Sequence, residues 1–431
     1  MAKTFREWDP GQGWLLPPSA LDLVPPGHLA HFVRDTVRGE IDLAPILDDY
    51  VEERGYPPYH PALMTALLLY AYCRGVYSSR AIARACEERV DFMAVTGRET
   101  PDFRTIAAFR RRHLRALRGV FVEVVRLCRE AGLASLGHVA LDGTKVKANA
   151  SKHKAMSYER MREQERKLKT EVQAWLDRAG AADTKEDRDH GEDRRGDEMP
   201  EWVKDKQARR AKIREAKAAL EARAKEEAER ERKPPEPPAP TVQRNFTDPE
   251  SRILKTGDGF IQGYNAQAAV DASSQVIVAQ DVIAQQSDAA CVEPMLEQIE
   301  RNTGRRPDEL SADAGYCSER NLEVIERRGV RGYVATGGHR HGTSSPTSAA
   351  WQKKGPLVKA MRTRLRRAGR RSRYRLRKVT VEPVFGQIKG ARGFRQFLLR
   401  GIEGVRGEWS LLAAAHNLLK LFGSRSEAAT A

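Results

Sequence analysis

Residues 155–232 carry dense charge of both signs and only a sparse set of apolar side chains. These are Met161, Leu168, Val172, Trp175 and Leu176, then Trp202, Ile213, Ala216 and Leu220. Such a stretch cannot supply a globular core of its own. Its apolar residues recur at helical spacing, so it reads as an inserted helical hairpin or coiled coil, projecting from a domain or packing on it. An acidic, Gly-containing piece at roughly 179–199 separates its halves, and PPEPPAP at 234–240 closes it. Whatever folds around a core must therefore lie before residue 155 or after residue 240.

The leading part reads as helical. Residues 1–27, punctuated by Pro and Gly, form an extended lead-in. Helices are predicted at 28–38, at 61–73 (apolar on most faces, hence buried), at 79–90, and at 101–117, where Thr100 precedes Pro101 as a cap-then-proline start. In the last, Ile106, Phe109, Leu114 and Leu117 give one apolar face, and Arg104, Arg110, Arg111, Arg112 and Arg115 surround it. Two readings stand for a domain over 1–120. It is a helix-turn-helix-like DNA reader, or a structural helical domain with a solvated basic face.

At 137–147 the period changes to that of a strand. Val139 and Leu141 precede the turn pair Asp142-Gly143, then come Thr144 and Val146, the pattern of a single hairpin. After Gly263 the strand period returns at 264–270 and 276–283, across a turn at 271–275. A helix at 288–301 capped by Ser287, a strand at 309–312 ending at Asp313, a helix at 318–328 and a strand at 330–335 follow. A polar loop at 337–346, a helix from Thr380 and an apolar helix at 409–422 complete the pattern. The predicted class is α+β: a helical domain, then a mixed α/β domain over 136–422 interrupted by the 155–240 insertion.

The net charge of +16 points to a polyanionic partner, most simply nucleic acid. Residues 353–378 hold thirteen basic residues and no acidic one, a density that calls for a phosphate backbone. The five cysteines (Cys73, Cys86, Cys128, Cys291, Cys317) form no CxxC pair and are odd in number, which fits a reducing interior. MAKTFREWDP has no apolar signal region, and no run of about 18 apolar residues exists to span a bilayer. An intracellular protein without membrane association is expected.

Three acids stand apart: Asp142 and Asp313 at strand ends, and Glu382 on the helix after the basic run. If they converge at one sheet edge, they can hold two Mg²⁺ ions roughly 3.5–4 Å apart, with Mn²⁺ able to substitute. Asp142 would bridge, and Asp313 and Glu382 would each hold one side. Phosphodiester cleavage by such a site needs no protein nucleophile, and no Ser/His or Cys/His constellation offers one. On spacing alone, a turn aspartate, a helix-leading aspartate and a surface glutamate are also open among 59 acidic residues. Asp271 and Asp288 could assist near the sheet, but read more simply as turn and capping residues, and His113, His138 and His153 as structural or phosphate-adjacent. His339 and His341 lie in a Gly/Ser loop without metal-binding partners. Trp351 suits base stacking or packing.

Several segments resemble the DDE transposases of bacterial insertion sequences, and more narrowly the insertion sequence eleven-eighty-two-like group. LDGTKVKANASKHKAMSYERM at 141–161 is similar to the first-aspartate segment, SADAGYCSERNL at 311–322 to the second, and VEPVFGQIKGARGFRQFLLRG at 381–401 to the glutamate helix. NFTDPESRILKTGDGFIQGYNAQAAVD at 245–271 resembles the middle strands, and 59–92 with 101–113 the N-terminal domain. The resemblance implies an RNase H-like catalytic domain with Asp142, Asp313 and Glu382 as metal ligands. It also implies binding to terminal inverted repeats and target DNA, and work as a homodimer or higher multimer in the cytoplasm, on the nucleoid. Lys389, seven residues after Glu382, takes the place of a DNA-contacting lysine. Arg375 and Lys378 occupy the places where relatives have a tyrosine and an arginine, and Tyr374 lies one residue further out. With Arg377, Arg104, Arg110 and Arg111 these make the expected DNA-binding set. A nuclease that cuts without joining and a DNA-binding repressor descended from a transposase are the alternatives; the three intact carboxylates speak against the repressor.

Overall fold

The computed structural model describes residues 19–50, 58–190, 201–257, 259–337 and 353–430. The expectations for His339, His341 and Trp351, and most of the lead-in, lie outside them. Among the described residues, no helix is long and apolar enough to cross a membrane. All five cysteines are free thiols.

A mixed six-stranded sheet forms the centre. Its strands are β1 (Val139–Lys147), β4 (Arg252–Thr256), β5 (Gly259–Asp271), β6 (Ile277–Ile283), β7 (Glu309–Ala312) and β8 (Arg331–Val334). They run in the order β4-β5-β1-β7-β8, with β6 also on β5. β1 pairs antiparallel with β5 and parallel with β7, and β7 pairs parallel with β8. β2 (Ala155–Ser157) and β3 (Gln243–Asn245) form a small second sheet at the base of the insertion.

The expected hairpin at 137–147 is not formed. Asp142 and Gly143 continue β1 and pair with Ala268 and Gln267 of β5. The glycine serves close approach instead of a turn: a Cβ there would lie 2.3 Å from Gln267 Nε2. Gly263 answers the same demand from β5, since its Cβ would lie 2.3 Å from the Val146 carbonyl oxygen.

The N-terminal helices are α1 (Leu29–Gly39), α2 (Ala44–Leu47), α3 (Pro61–Cys73), α4 (Ser79–Glu88), α5 (Val90–Thr96), α6 (Phe103–Arg112) and α7 (Leu114–Glu130). Arg89 adopts an extended conformation that ends α4 and starts α5. The helix expected at 101–117 begins later, because Asp102 caps it by accepting from Arg104 N and Thr105 N. It breaks at His113, which packs against the Phe109 and Tyr50 rings. α7 then buries Val120, Phe121, Val124, Val125 and Cys128 on one face.

The insertion forms two antiparallel-joined halves, α8 (Tyr158–His190) and α9 (Glu201–Glu231). Met161, Leu168, Ile213, Ala216 and Leu220, picked out by their helical spacing, make its own small core together with Tyr158, while the side chains of Trp175, Leu176 and Trp202 lie outside the described ones. The remaining helices are α10 (Val292–Thr303), α11 (Glu319–Arg327), α12 (Pro356–Ala368), α13 (Leu376–Gly386) and α14 (Ile402–Thr430).

α14 is buried on all sides from Trp409 to Leu418, with Ser410, His416 and Asn417 the polar residues among apolar ones. β6 lies against it from the sheet, and α3 and α7 from the N-terminal part. One continuous core therefore joins the N-terminal helices to the sheet. A buried polar network crosses the same junction. Glu408 accepts from Leu398 N at 2.9 Å and Leu399 N at 3.1 Å, and Arg110 reaches the Tyr72 hydroxyl beside it.

Candidate active site

The site follows from strand register. Val139, Ala140 and Leu141 are buried between layers, which fixes β1 against β7 with Leu141 opposite Ala312. The next residue on each strand is an aspartate, so Asp142 and Asp313 stand side by side at the carboxyl end of β7. Asp142 Oδ1 accepts from Gly143 N at 2.9 Å. Asp313 caps the turn at Ala314–Tyr316 by accepting from Gly315 N at 2.8 Å. Burial pushes the Asp142 carboxyl up to about 6, with Asp313 and Asp288 adding to the rise and the Arg377 guanidinium opposing it.

Glu382 projects from α13, which packs on β1, and is about half exposed. The Arg377 guanidinium lies between it and the strands. It donates to Asp142 Oδ2 and stands 3.5 Å from Glu382 Oε1. Tyr374 hydrogen-bonds the same guanidinium. The structure thus brings the three acids expected from sequence to one place, joined through an arginine. Among the described residues, no group of three or more His, Cys, Asp or Glu side chains is placed so that it could hold a metal ion as it stands.

The donor set nevertheless suits a hard divalent cation. It consists of carboxylate oxygens, it lies where burial and like charge make ionisation of Asp142 costly, and it already holds one cationic group. Asp142, Asp313 and Glu382 are the residues that would hold the ion.

Asp288, expected as a cap for the following helix, does not serve that way. α10 begins at Val292 with no side-chain cap. The Asp288 carboxylate turns toward the sheet, where Asn265 Nδ2 and Gln267 Nε2 donate to Oδ1 at 2.6 and 2.8 Å. The signal was present in the sequence: Asn265 and Gln267 are polar residues two apart on one face of a buried strand, amid Tyr264, Ala266, Ala268, Ala269 and Val270. Asp271 is the turn residue expected, accepting from Leu136 N and Ser273 N.

The expected DNA contacts divide into two sets. Lys378, Arg375, Arg104 and Arg111 are exposed. Arg110, Arg377 and Lys389 are engaged inside the protein, contrary to expectation. Arg110 is 4% exposed and donates to the Tyr72 hydroxyl, the Tyr77 carbonyl and Ser79 Oγ. Arg377 faces the carboxylates. Lys389 Nζ donates to the Lys145 carbonyl at 2.6 Å, and its pKa is lowered by burial and by Lys145. The cause is shared: all three extend from helix faces packed against the core, which the count of basic residues does not reveal. Most of the basic run is α12 and the turns after it. Glu319 caps α12 by accepting from Leu357 N and Val358 N, and Lys353, Lys354, Arg366 and Arg367 are exposed. His138 is buried between Glu309 and Ser311, a structural position, and His153 is exposed.

Two family models match the chain. The Transposase domain (DUF772) covers residues 18–112, and the Transposase DDE domain covers residues 239–418. The chain belongs to the DDE-type transposases of insertion sequences. The second match includes Asp313 and Glu382 and begins after Asp142, whose place beside Asp313 rests on the β1–β7 register. No curated protein and no solved structure matches. As a DDE transposase the protein is a nuclease and strand transferase acting on DNA, and enzymes of this class use divalent metal ions.

Proposed function

We propose that this transposase binds the terminal inverted repeats of its element, and cuts and joins DNA with Asp142, Asp313 and Glu382 as the ligands of two Mg²⁺ ions. The observation that carries the reading is the adjacency of Asp142 and Asp313 on parallel strands, with Glu382 linked to Asp142 through Arg377. A sheet whose antiparallel β6-β5-β1 portion continues into parallel β1-β7-β8 supports an RNase H-like catalytic domain over 136–422. Residues 155–240 interrupt it, and residues 1–120 supply the DNA reader, with membership in the insertion sequence eleven-eighty-two-like group.

Bound divalent ions would supply activation of the attacking oxygen and charge stabilisation on the leaving oxygen. The chain supplies the rest. The exposed bases of α12 and the following turns, with Arg375 and Lys378, hold phosphates on the side where Glu382 emerges. With divalent ions on the carboxylates, Arg377 would be left facing the same strand. Water attacks phosphorus first, breaking the P–O3′ bond at the element's end. The freed 3′-hydroxyl then attacks a target phosphodiester, whose own 3′-oxygen leaves. The enzyme acts as a homodimer or larger assembly on DNA, in the cytoplasm on the nucleoid. The test is Asp142→Asn with Mg²⁺ and end-containing DNA: cleavage is abolished and end binding persists. Cleavage that survives would sink the assignment.

A further inference from the structure

Asp288 is held with more care than a loop carboxylate needs. It lies in the connection from β6 to α10, and its side chain is only 15% exposed. Asn265 and Gln267, neighbouring inward positions on β5 and both fully buried, each donate an amide N–H to Oδ1. Gln267 is itself fixed from the other end, where the buried Tyr316 hydroxyl donates to its Oε1. Lys145 Nζ stands 3.8 Å from the same Oδ1. Every one of these contacts uses or faces Oδ1, and Oδ2 points elsewhere.

The glycines of the site show where. A Cβ on Gly315 would lie 3.0 Å from Asp288 Oδ2 and 3.1 Å from Asp313 Oδ1, so both oxygens border one small space. A Cβ on Gly143, the residue after Asp142, would lie 2.9 Å from Asp288 Oδ1 and 2.7 Å from Asn265 Oδ1. Asn265 Oδ1 is buried with no hydrogen-bond partner, an acceptor left open on the residue that holds Asp288. An arrangement that only anchored a loop would satisfy that oxygen and would not turn Asp288 Oδ2 to the space that Asp313 Oδ1 also borders, since like charges at close range repel.

We infer that Asp288 is a fourth carboxylate of the divalent-cation site, facing the ion beside Asp313 through Oδ2, with Asn265 and Gln267 as the residues that position it. The inference rests on the proposed metal site and adds a residue to it. Its logic is that of outer groups orienting a metal-facing carboxylate, whose loss costs about ten- to a hundredfold in metal affinity.

The experiment is Mn²⁺ binding to the full chain without DNA, read by the electron paramagnetic resonance signal of free Mn²⁺. Wild type, Asp142→Asn, Asp288→Asn and a surface control, Glu323→Gln, are compared. Asp288→Asn is expected to weaken Mn²⁺ binding about ten- to a hundredfold, with Glu323→Gln unchanged. Gly315→Ala keeps every charge and both amide contacts while filling the space between Asp288 and Asp313. It is expected to weaken binding as well, and it decides the matter if Asp288→Asn does not fold. Wild-type affinity in both Asp288→Asn and Gly315→Ala, with loss in Asp142→Asn, would overturn the role of Asp288 and leave the three-carboxylate site standing. Binding that is absent in wild type or unaffected by Asp142→Asn would overturn both.

Discussion

Asp142→Asn should make the metal-free protein more stable, and by an amount that depends on pH. The carboxyl is 14% exposed, and burial raises it from its ordinary 3.8 to about 6, even with Arg377 drawing it down. A carboxyl whose folded-state value is raised binds protons more tightly when folded. Its contribution is therefore complete below pH 3.8 and is lost as pH climbs through about 6. At about 1.4 kcal/mol for each tenfold change in proton affinity, the ionised group costs about 3 kcal/mol at neutral pH. Asparagine keeps the shape and an oxygen for Gly143 N, removes the charge, and leaves Arg377 with Glu382. Urea denaturation in EDTA is the assay. The mutant should match wild type near pH 4 and exceed it by up to about 3 kcal/mol at pH 7.5. Adding Mn²⁺ should close the gap by stabilising wild type alone. A difference that does not vary with pH, or a mutant weaker than wild type at pH 7.5, would refute the reasoning.

Four further perturbations extend the test. Arg377→Gln removes the main group lowering the Asp142 carboxyl, so the loss of stability with rising pH should move to higher pH in the same denaturation series. Glu408→Ala leaves two backbone N–H groups without their acceptor and removes the negative charge near the buried Arg110, and should cost about 3–5 kcal/mol by urea denaturation, with N-terminal helices and sheet unfolding together. Arg104→Ala with Arg111→Ala should reduce discrimination between end and random DNA at unchanged melting temperature. Arg110→Ala should lower the melting temperature, because its guanidinium is spent on Tyr72, Tyr77 and Ser79. Competition binding and thermal denaturation on the same preparations distinguish these outcomes.

Much of the fold was legible from periodicity. Pro61–Cys73 is a helix over the predicted residues, β7 is the predicted 309–312, and the insertion pairs through the apolar residues picked out by spacing. What escaped depends on partners distant in sequence. Asp142-Gly143 has the local chemistry of a turn, yet it runs straight because β5, more than a hundred residues later, needs a strand partner without a side chain at position 143. α7 was missed beyond residue 117 because its apolar face answers to α14, nearly three hundred residues away.

The site shows the same division. That Asp142, Asp313 and Glu382 belong together came from resemblance. That Asp142 meets Asp313 needs the parallel register of β1 and β7, which no local pattern encodes. Arg377 was counted with the DNA-binding residues because it sits in a basic run, but composition gives a residue's charge and not its direction. On α13, Arg377 lies five residues before Glu382, somewhat more than one turn, and the packing of α13 on β1 turns its guanidinium to the Asp142 carboxylate. The strongest cation at the site is thus part of the same helix that supplies the third acid. If the proposed function holds, a metal ion on the carboxylates would leave Arg377 free to face a phosphate, because one guanidinium cannot neutralise Asp142 and a DNA strand together.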